Sequence, residues 1–208
     1  MNINIISLNV IIISYLIGSI PFSFILAKIF YKKDLRIIGS KNVGATNVLR
    51  NFGKTPGIIS FLFDMAKGFL ATYVVYSVYG VDYGNYASIS VVIGHIFPIW
   101  LKFKGGKGVA TTIGVIAAIS WPLGVLIAAF WVSVFIFTRI SSISSICSIL
   151  ISPILLYIII EAQIIHLLPL WIPGEPSQIQ ILTYISILVV LMHKDNLYRI
   201  IYKKEPKV

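Results

Sequence analysis

Long apolar runs alternate with short polar stretches along the chain, and the lengths of the runs fit a bilayer better than a soluble core. An apolar helix crosses a hydrocarbon core with about 20 residues, and about 17–25 are tolerated. Ile5–Phe30, Pro56–Tyr79 and Tyr83–Leu101 meet that length, the third ending beside Trp100, an interfacial anchor. Ile143–Ile160 and Ile179–Met192 add two more, the second of them short. Gly108–Thr138 as one helix would be about 46 Å long at 1.5 Å per residue. Trp121-Pro122 with Gly124 predicts a break there, giving two helices back to back. Gly108–Ile119 is then short for a crossing, and a tilted or half-buried helix is expected. The pattern predicts an all-α integral membrane protein of seven transmembrane helices. Residues 1–208 show no repeat, linker or second domain and read as one multi-pass domain.

Charge sets the orientation. The chain is 58% hydrophobic with a mean hydropathy of +0.93, yet its formal charge is +10. The 17 Lys and Arg residues fall in four clusters: Lys28 to Lys67, Lys102 to Lys107, Arg139, and Lys194 to Lys207. The connections around Asp82, Ser120–Leu123 and Glu161–Gln178 carry neither Lys nor Arg. Short loops rich in these residues stay cytoplasmic. Seven spans put every basic cluster inside and the N-terminus outside, whereas six would export the basic tail. The N-terminal run lacks a basic n-region and a small-residue cleavage site, so it is expected to be a retained span. Cys147 is alone, which excludes an internal disulfide or a CxxC site. No Zn or Mg ligand cluster is visible, no cofactor is expected, and the basic charge points to membrane orientation rather than nucleic acid.

Three cytoplasmic segments are richer in chemistry than a turn needs. In Lys104-Gly105-Gly106-Lys107-Gly108, glycines allow successive N–H groups to converge on an anion, and two lysines add charge. The apolar stretch that follows starts a helix, whose N-terminus attracts phosphate. It is not a Walker A loop, because Gly108 occupies the Ser/Thr position. The plainer alternative is a tight turn with lysines as topology anchors. The segment Gly39–Asn47 offers Ser40, Asn42, Thr46 and Asn47 as hydrogen-bonding groups, with Lys41 and Arg50 as charges. Arg50 can grip phosphate through two parallel bonds, although an ordinary solvated loop has a similar composition. His193 and Asn196 share a helix face at spacing three. Asp64 and Lys67, also three apart within a span, are read as an internal ion pair that buttresses the site.

Together these segments resemble the bacterial acyl-phosphate:glycerol-3-phosphate acyltransferases of the PlsY type. The likeness runs through Gly18-Ser19-Ile20-Pro21, Gly39-Ser40 with Asn42, Gly44-Ala45-Thr46-Asn47, and Asp64 with Lys67-Gly68. It continues through Gly94-His95 with Phe97-Pro98 and Phe103–Thr111 to His193, Asn196 and Arg199. The resemblance implies seven helices and a cytoplasm-facing active-site groove in the bacterial cell membrane. It implies transfer of a fatty acyl group from acyl phosphate to the 1-hydroxyl of glycerol 3-phosphate, giving lysophosphatidic acid and phosphate. By position it implies Ser40, Lys107, His193 and Asn196 as catalytic residues. Asn42, Thr46, Asn47, Arg50, Lys104, Gly105, Gly106, Gly108 and Thr111 would bind substrates. Membrane lipids and the soluble enzyme that makes acyl phosphate are the implied partners. Lys41 stands where glycine is usual, which argues against a turn of positive φ there. Lys204 replaces the glycine before the terminal acid, which argues against a role for Glu205.

The chemistry fits independently. Acyl phosphate is a mixed anhydride whose leaving phosphate needs charge neutralisation, which lysines and N–H groups supply. The residues five after His95, His166 and His193 are Trp100, Trp171 and Tyr198, so no His-x4-Asp acyltransferase pair exists. The rival class is a small transporter or flippase for an anionic lipid or organophosphate, suggested by Asp64, Lys67 and the short helices. Against it stand the absence of an internal repeat and the concentration of polar residues on one side.

Overall fold

The computed structural model describes residues 4–207, and among them every regular element is a helix. The α-helices are α1 (Ile5–Ser19), α2 (Phe22–Tyr31), α3 (Ala45–Phe52), α4 (Lys54–Tyr79), α5 (Val81–Ile96), α6 (Val109–Ile119), α7 (Trp121–Thr138), α8 (Ser141–Ile164), α9 (Pro176–Leu191) and α10 (Lys194–Ile201). They group into two compact units, the first running to Val115 and the second starting at Ile116. Among the described residues, five helical segments are long and apolar enough to cross a bilayer: Ile5–Tyr31, α4, Val81–Leu101, α7 and α8. A sixth is α9 taken with α10, a pair bent by 61°. The seventh crossing expected from the sequence rests on α6, which is apolar but has only 11 residues.

Polarity is turned inward, as lipid requires. Large apolar side chains such as Ile13, Leu70, Val125 and Phe137 lie exposed, while Ser14, Ser23, Ser60, Thr72, Ser88, Ser148 and Ser186 are buried. Ile5–Phe30, read as one helix, is interrupted at Ile20-Pro21. Proline has no N–H to continue the ladder, so α1 closes with Ile20 N–H on the Ile17 carbonyl at 3.2 Å, and α2 restarts at Phe22. The Ile20 carbonyl faces inward and accepts from Lys67 Nζ at 2.7 Å.

Reciprocal glycines fix the packing of the first unit. A Cβ on Gly18 of α1 would overlap the Val91 carbonyl of α5, and one on Gly94 of α5 would overlap the Tyr15 carbonyl of α1. Gly68 of α4 and Gly114 of α6 stand in the same relation to Thr111 and Met65. Small residues let membrane helices approach backbone to backbone.

In the second unit, buried serines line α8. Ser144, Ser145 and Ser148 donate to the carbonyls of Ile140, Ser141 and Ser144 one turn back. Pro153 lies inside α8 and removes the donor that the Ile149 carbonyl would otherwise receive. Ser152 Oγ and Ser186 Oγ of α9 supply it instead, both at 2.8 Å. The break predicted at Trp121-Pro122 is present: α7 begins at Trp121 after Ser120, with Pro122 in its first turn.

Candidate active site

The first loop, residues 32–44 with α3, rests on a small apolar floor of Ala27, Leu35 and Val48. Asp34 is gripped by the Arg36 guanidinium at 2.7 Å, and those bonds hold its carboxyl down to about 2. Asn47, wholly buried, organises the loop. Its Nδ2 donates to the carbonyls of Leu35, Ile38 and Asn42, and its Oδ1 accepts from the Ser40 N–H at 3.0 Å and from Asn51 Nδ2. An amide has two donors and two acceptor lone pairs, so all of its capacity is used within the loop. Asn47 therefore acts as scaffold, a different part from the substrate contact expected of it. Gly39 turns the chain at φ +55, and a Cβ there would strike Asn47 Oδ1 and Asn51 Nδ2.

Lys41 adopts φ +59, so the left-handed turn is kept even though a lysine occupies it. Its N–H donates to the Ile38 carbonyl at 3.0 Å. The expectation that lysine argues against such a turn is corrected. The loop delivers Ser40 to the surface, leaves Asn42 and Thr46 half-buried, and places Arg50 half-buried in the last turn of α3.

The glycine-rich loop follows α5 and a 3-10 turn, Ile99–Leu101. The Gly105 N–H donates to the Ile96 carbonyl at 3.0 Å and the Gly106 N–H to the His95 carbonyl at 3.1 Å. These two N–H groups turn inward, so an anion nest centred on Gly105 and Gly106 does not form. They anchor the loop to the end of α5. The donors suited to an anion lie further on, at Gly108 (φ +88) and the first turn of α6, whose N–H groups have no intrahelical acceptor. Lys104 is exposed and Lys107 half-buried beside them in sequence. Thr111 is wholly buried with no hydrogen-bond partner for Oγ1, and its carbonyl packs on Gly68, so it belongs to the α4–α6 contact.

The two loops meet. A Cβ on Gly106 would lie 2.9 Å from the Val43 carbonyl and overlap His95 Nε2. Beneath them is a buried ionic cluster. Asp64 Oδ1 lies 3.0 Å from Lys67 Nζ and 3.6 Å from His95 Nδ1, and its Oδ2 accepts from Ser23 Oγ at 2.7 Å. Ser23 in turn shares a hydrogen bond with Ser60. A cavity of about 10 Å³, room for roughly one water, is lined by Val43, Asp64, Lys67, His95, Gly105 and Gly106 among others.

In the second unit His193 is the N-cap residue of α10, and its Nδ1–H donates to the Val189 carbonyl at 2.7 Å. Asn196 is buried one turn on, and its Nδ2 donates to Glu205 Oε1 at 2.6 Å. Glu205 also accepts from Ser142 Oγ at 2.8 Å and Arg199 Nε at 2.6 Å. Burial pushes the Glu205 carboxyl up, and these three donors outweigh it and hold it below the ordinary value. The reading that Lys204 leaves Glu205 without a role is corrected: Glu205 sets the Asn196 amide.

Comparison with known proteins places the chain. The sequence model for glycerol-3-phosphate acyltransferase matches residues 8–203. A glycerol-3-phosphate acyltransferase of Pelagibacter ubique (strain HTCC1062) is 41% identical over 194 residues, covering 93% of each chain. The crystal structure of PlsY (YgiH), an integral membrane glycerol 3-phosphate acyltransferase, in its glycerol 3-phosphate form superposes with a TM-score of 0.86. The two are 31% identical, over 97% of this chain and 95% of that one. The lysophosphatidic acid form gives 0.83 at 30% identity over 97% and 94%. The fold is that of an integral membrane acyltransferase. The chain belongs to the glycerol-3-phosphate acyltransferase family.

Proposed function

We propose that this chain, acting as one domain, transfers a fatty acyl group from acyl phosphate to the 1-hydroxyl of glycerol 3-phosphate. The hydroxyl oxygen bonds to the acyl carbon, the bond from that carbon to the phosphate oxygen breaks, and the hydroxyl proton leaves on the released phosphate. The observation that carries this reading is the meeting of two basic, hydrogen-bonding loops at Val43 and Gly106. Two anionic substrates need two anion sites side by side. Arg50 takes the phosphate of glycerol 3-phosphate. Lys104, Lys107 and the N–H groups from Gly108 take that of the donor, where they stabilise the charge that develops as phosphate departs. Ser40 and Asn42 stand at the rim of the first loop for the hydroxyl groups. The parts assigned to His193 and Asn196 rest on the motif they share with the family.

The bacterial cell membrane, an external N-terminus and a cytoplasmic C-terminus complete the proposal, supported by the one-sided basic charge. Asp64 and Lys67, the residues that suggest a transporter, are paired with each other. Purified protein is offered acyl phosphate, acyl-CoA and acyl carrier protein as competing donors. Phosphate release from acyl phosphate only when glycerol 3-phosphate is added supports the reading. Equal use of acyl-CoA overturns it.

A further inference from the structure

We propose that His95 is a positioning residue for the glycine-rich loop, a role that rests on the donor-phosphate reading of that loop. The imidazole is held on one edge and used on the other. Its Nδ1 faces Asp64 Oδ1 at 3.6 Å, and Asp64 is itself fixed by Lys67 Nζ at 3.0 Å and Ser23 Oγ at 2.7 Å. Lys67 is tied in turn to the Ile20 carbonyl. Three side chains therefore stand behind the ring, Asp64, Lys67 and Ser23, all buried in the first unit. Its Nε2 edge lies directly under Gly106, where a Cβ would occupy the same space.

The Gly106 N–H is bound to the carbonyl of the same histidine at 3.1 Å, and that of Gly105 to the next carbonyl, Ile96, at 3.0 Å. His95 thus supports the loop from its backbone and its side chain at once. Lys107 and Gly108 follow immediately, so the height of Gly106 above the ring sets where the lysine and the first N–H groups of α6 stand. The same height sets the separation from Val43 in the acceptor loop. Burying an ion pair in a span is expensive, and stiffening an anion site against the pull of its ligand accounts for its presence.

The test separates the two edges of the ring. His95→Asn keeps a polar atom near the Nδ1 position and removes the Nε2 edge, whereas His95→Gln keeps a polar atom near Nε2. His95→Asn is expected to speed amide hydrogen exchange at residues 104–108, with α1 and the outer half of α4 unchanged. It is also expected to raise KM for acyl phosphate about tenfold with kcat held within about twofold, and His95→Gln restores most of both. Unchanged exchange in folded His95→Asn, or a fall in kcat alone, overturns the positioning role. If His95→Asn does not fold, Gly106→Ala probes the contact from the other side and is expected to give the same exchange pattern; no change there overturns it as well. Exchange is read without turnover. A wild-type protein inactive with acyl phosphate therefore sinks the donor reading and leaves the positioning test standing.

Discussion

Removing the Glu205 carboxylate is predicted to unlatch the second unit. Glu205→Ala deletes the acceptor of three donors: Asn196 Nδ2, Ser142 Oγ and Arg199 Nε. The Arg199 side chain is 39% exposed and regains water, so its share is about 0–1 kcal/mol. Asn196 and Ser142 are 6% and 5% exposed, and each buried donor that loses its carboxylate acceptor costs about 1–3 kcal/mol. The sum, about 2–7 kcal/mol, is a large part of a typical total of about 5–15. At about 2–4 °C per kcal/mol for a chain of this size, the midpoint should fall by at least about 4 °C. Thermal unfolding in detergent, followed by the monodisperse fraction on size exclusion, measures it.

Glu205→Gln should fall between, since its amide still accepts on one oxygen. The wild type adds a signature in acid. The folded carboxyl titrates below its ordinary value of 4.5, so its stabilisation is present above about pH 4.5 and is lost as pH falls through the lower folded value. Glu205→Gln should lack that acid-labile part. A midpoint for Glu205→Ala within 1 °C of wild type, or an unchanged acid slope in Glu205→Gln, would refute the reasoning.

Ser40→Ala and Lys107→Ala should each lower kcat at least about tenfold, roughly 1.4 kcal/mol of transition-state stabilisation, in protein that remains folded; full activity in both removes these residues from the site. Arg50→Lys keeps the charge and loses the fork, so KM should rise more for glycerol 3-phosphate than for acyl phosphate, and the reverse exchanges the two phosphate assignments. In a Cys147→Ser background, Asn2→Cys should react with an impermeant thiol reagent in intact cells and Pro206→Cys should not; equal labelling overturns the seven-span count. Lys41→Gly should stabilise the protein by up to about 1 kcal/mol, because a left-handed non-glycine residue carries about that strain, and a lower midpoint would show that the lysine side chain has a role of its own.

Five of the spans were legible because lipid imposes a length and an all-round apolarity that no other environment requires. The Trp121-Pro122 break was equally plain. The apolar run continues across Ile20-Pro21, so the hydrophobic pattern conceals the break between α1 and α2. What the sequence concealed is where polar groups are spent. Gly105 and Gly106 look like anion donors until the carbonyls of Ile96 and His95 take their N–H groups. Asn47 looks like a ligand contact until its loop is folded around it. Glu205 meets Ser142 across a separation of 63 residues, and no local spacing announces such a partner. Asp64 and Lys67 were readable because their spacing of three on one helix is local.

That local spacing bears on how the protein enters its membrane. A charge carried alone to the middle of a bilayer helix costs about 2.5–3.5 kcal/mol on insertion scales. Asp64 and Lys67 neutralise each other as soon as α4 coils, before any neighbour is needed, so the helix can pass into lipid as a dipole with no net charge at that level. Ser23 has already been synthesised and is waiting on α2, and His95 is made later, at the end of α5. The order of synthesis is therefore the order in which the buried charge is solvated: first by its own helix, then by a hydroxyl, and last by the ring that carries the loop.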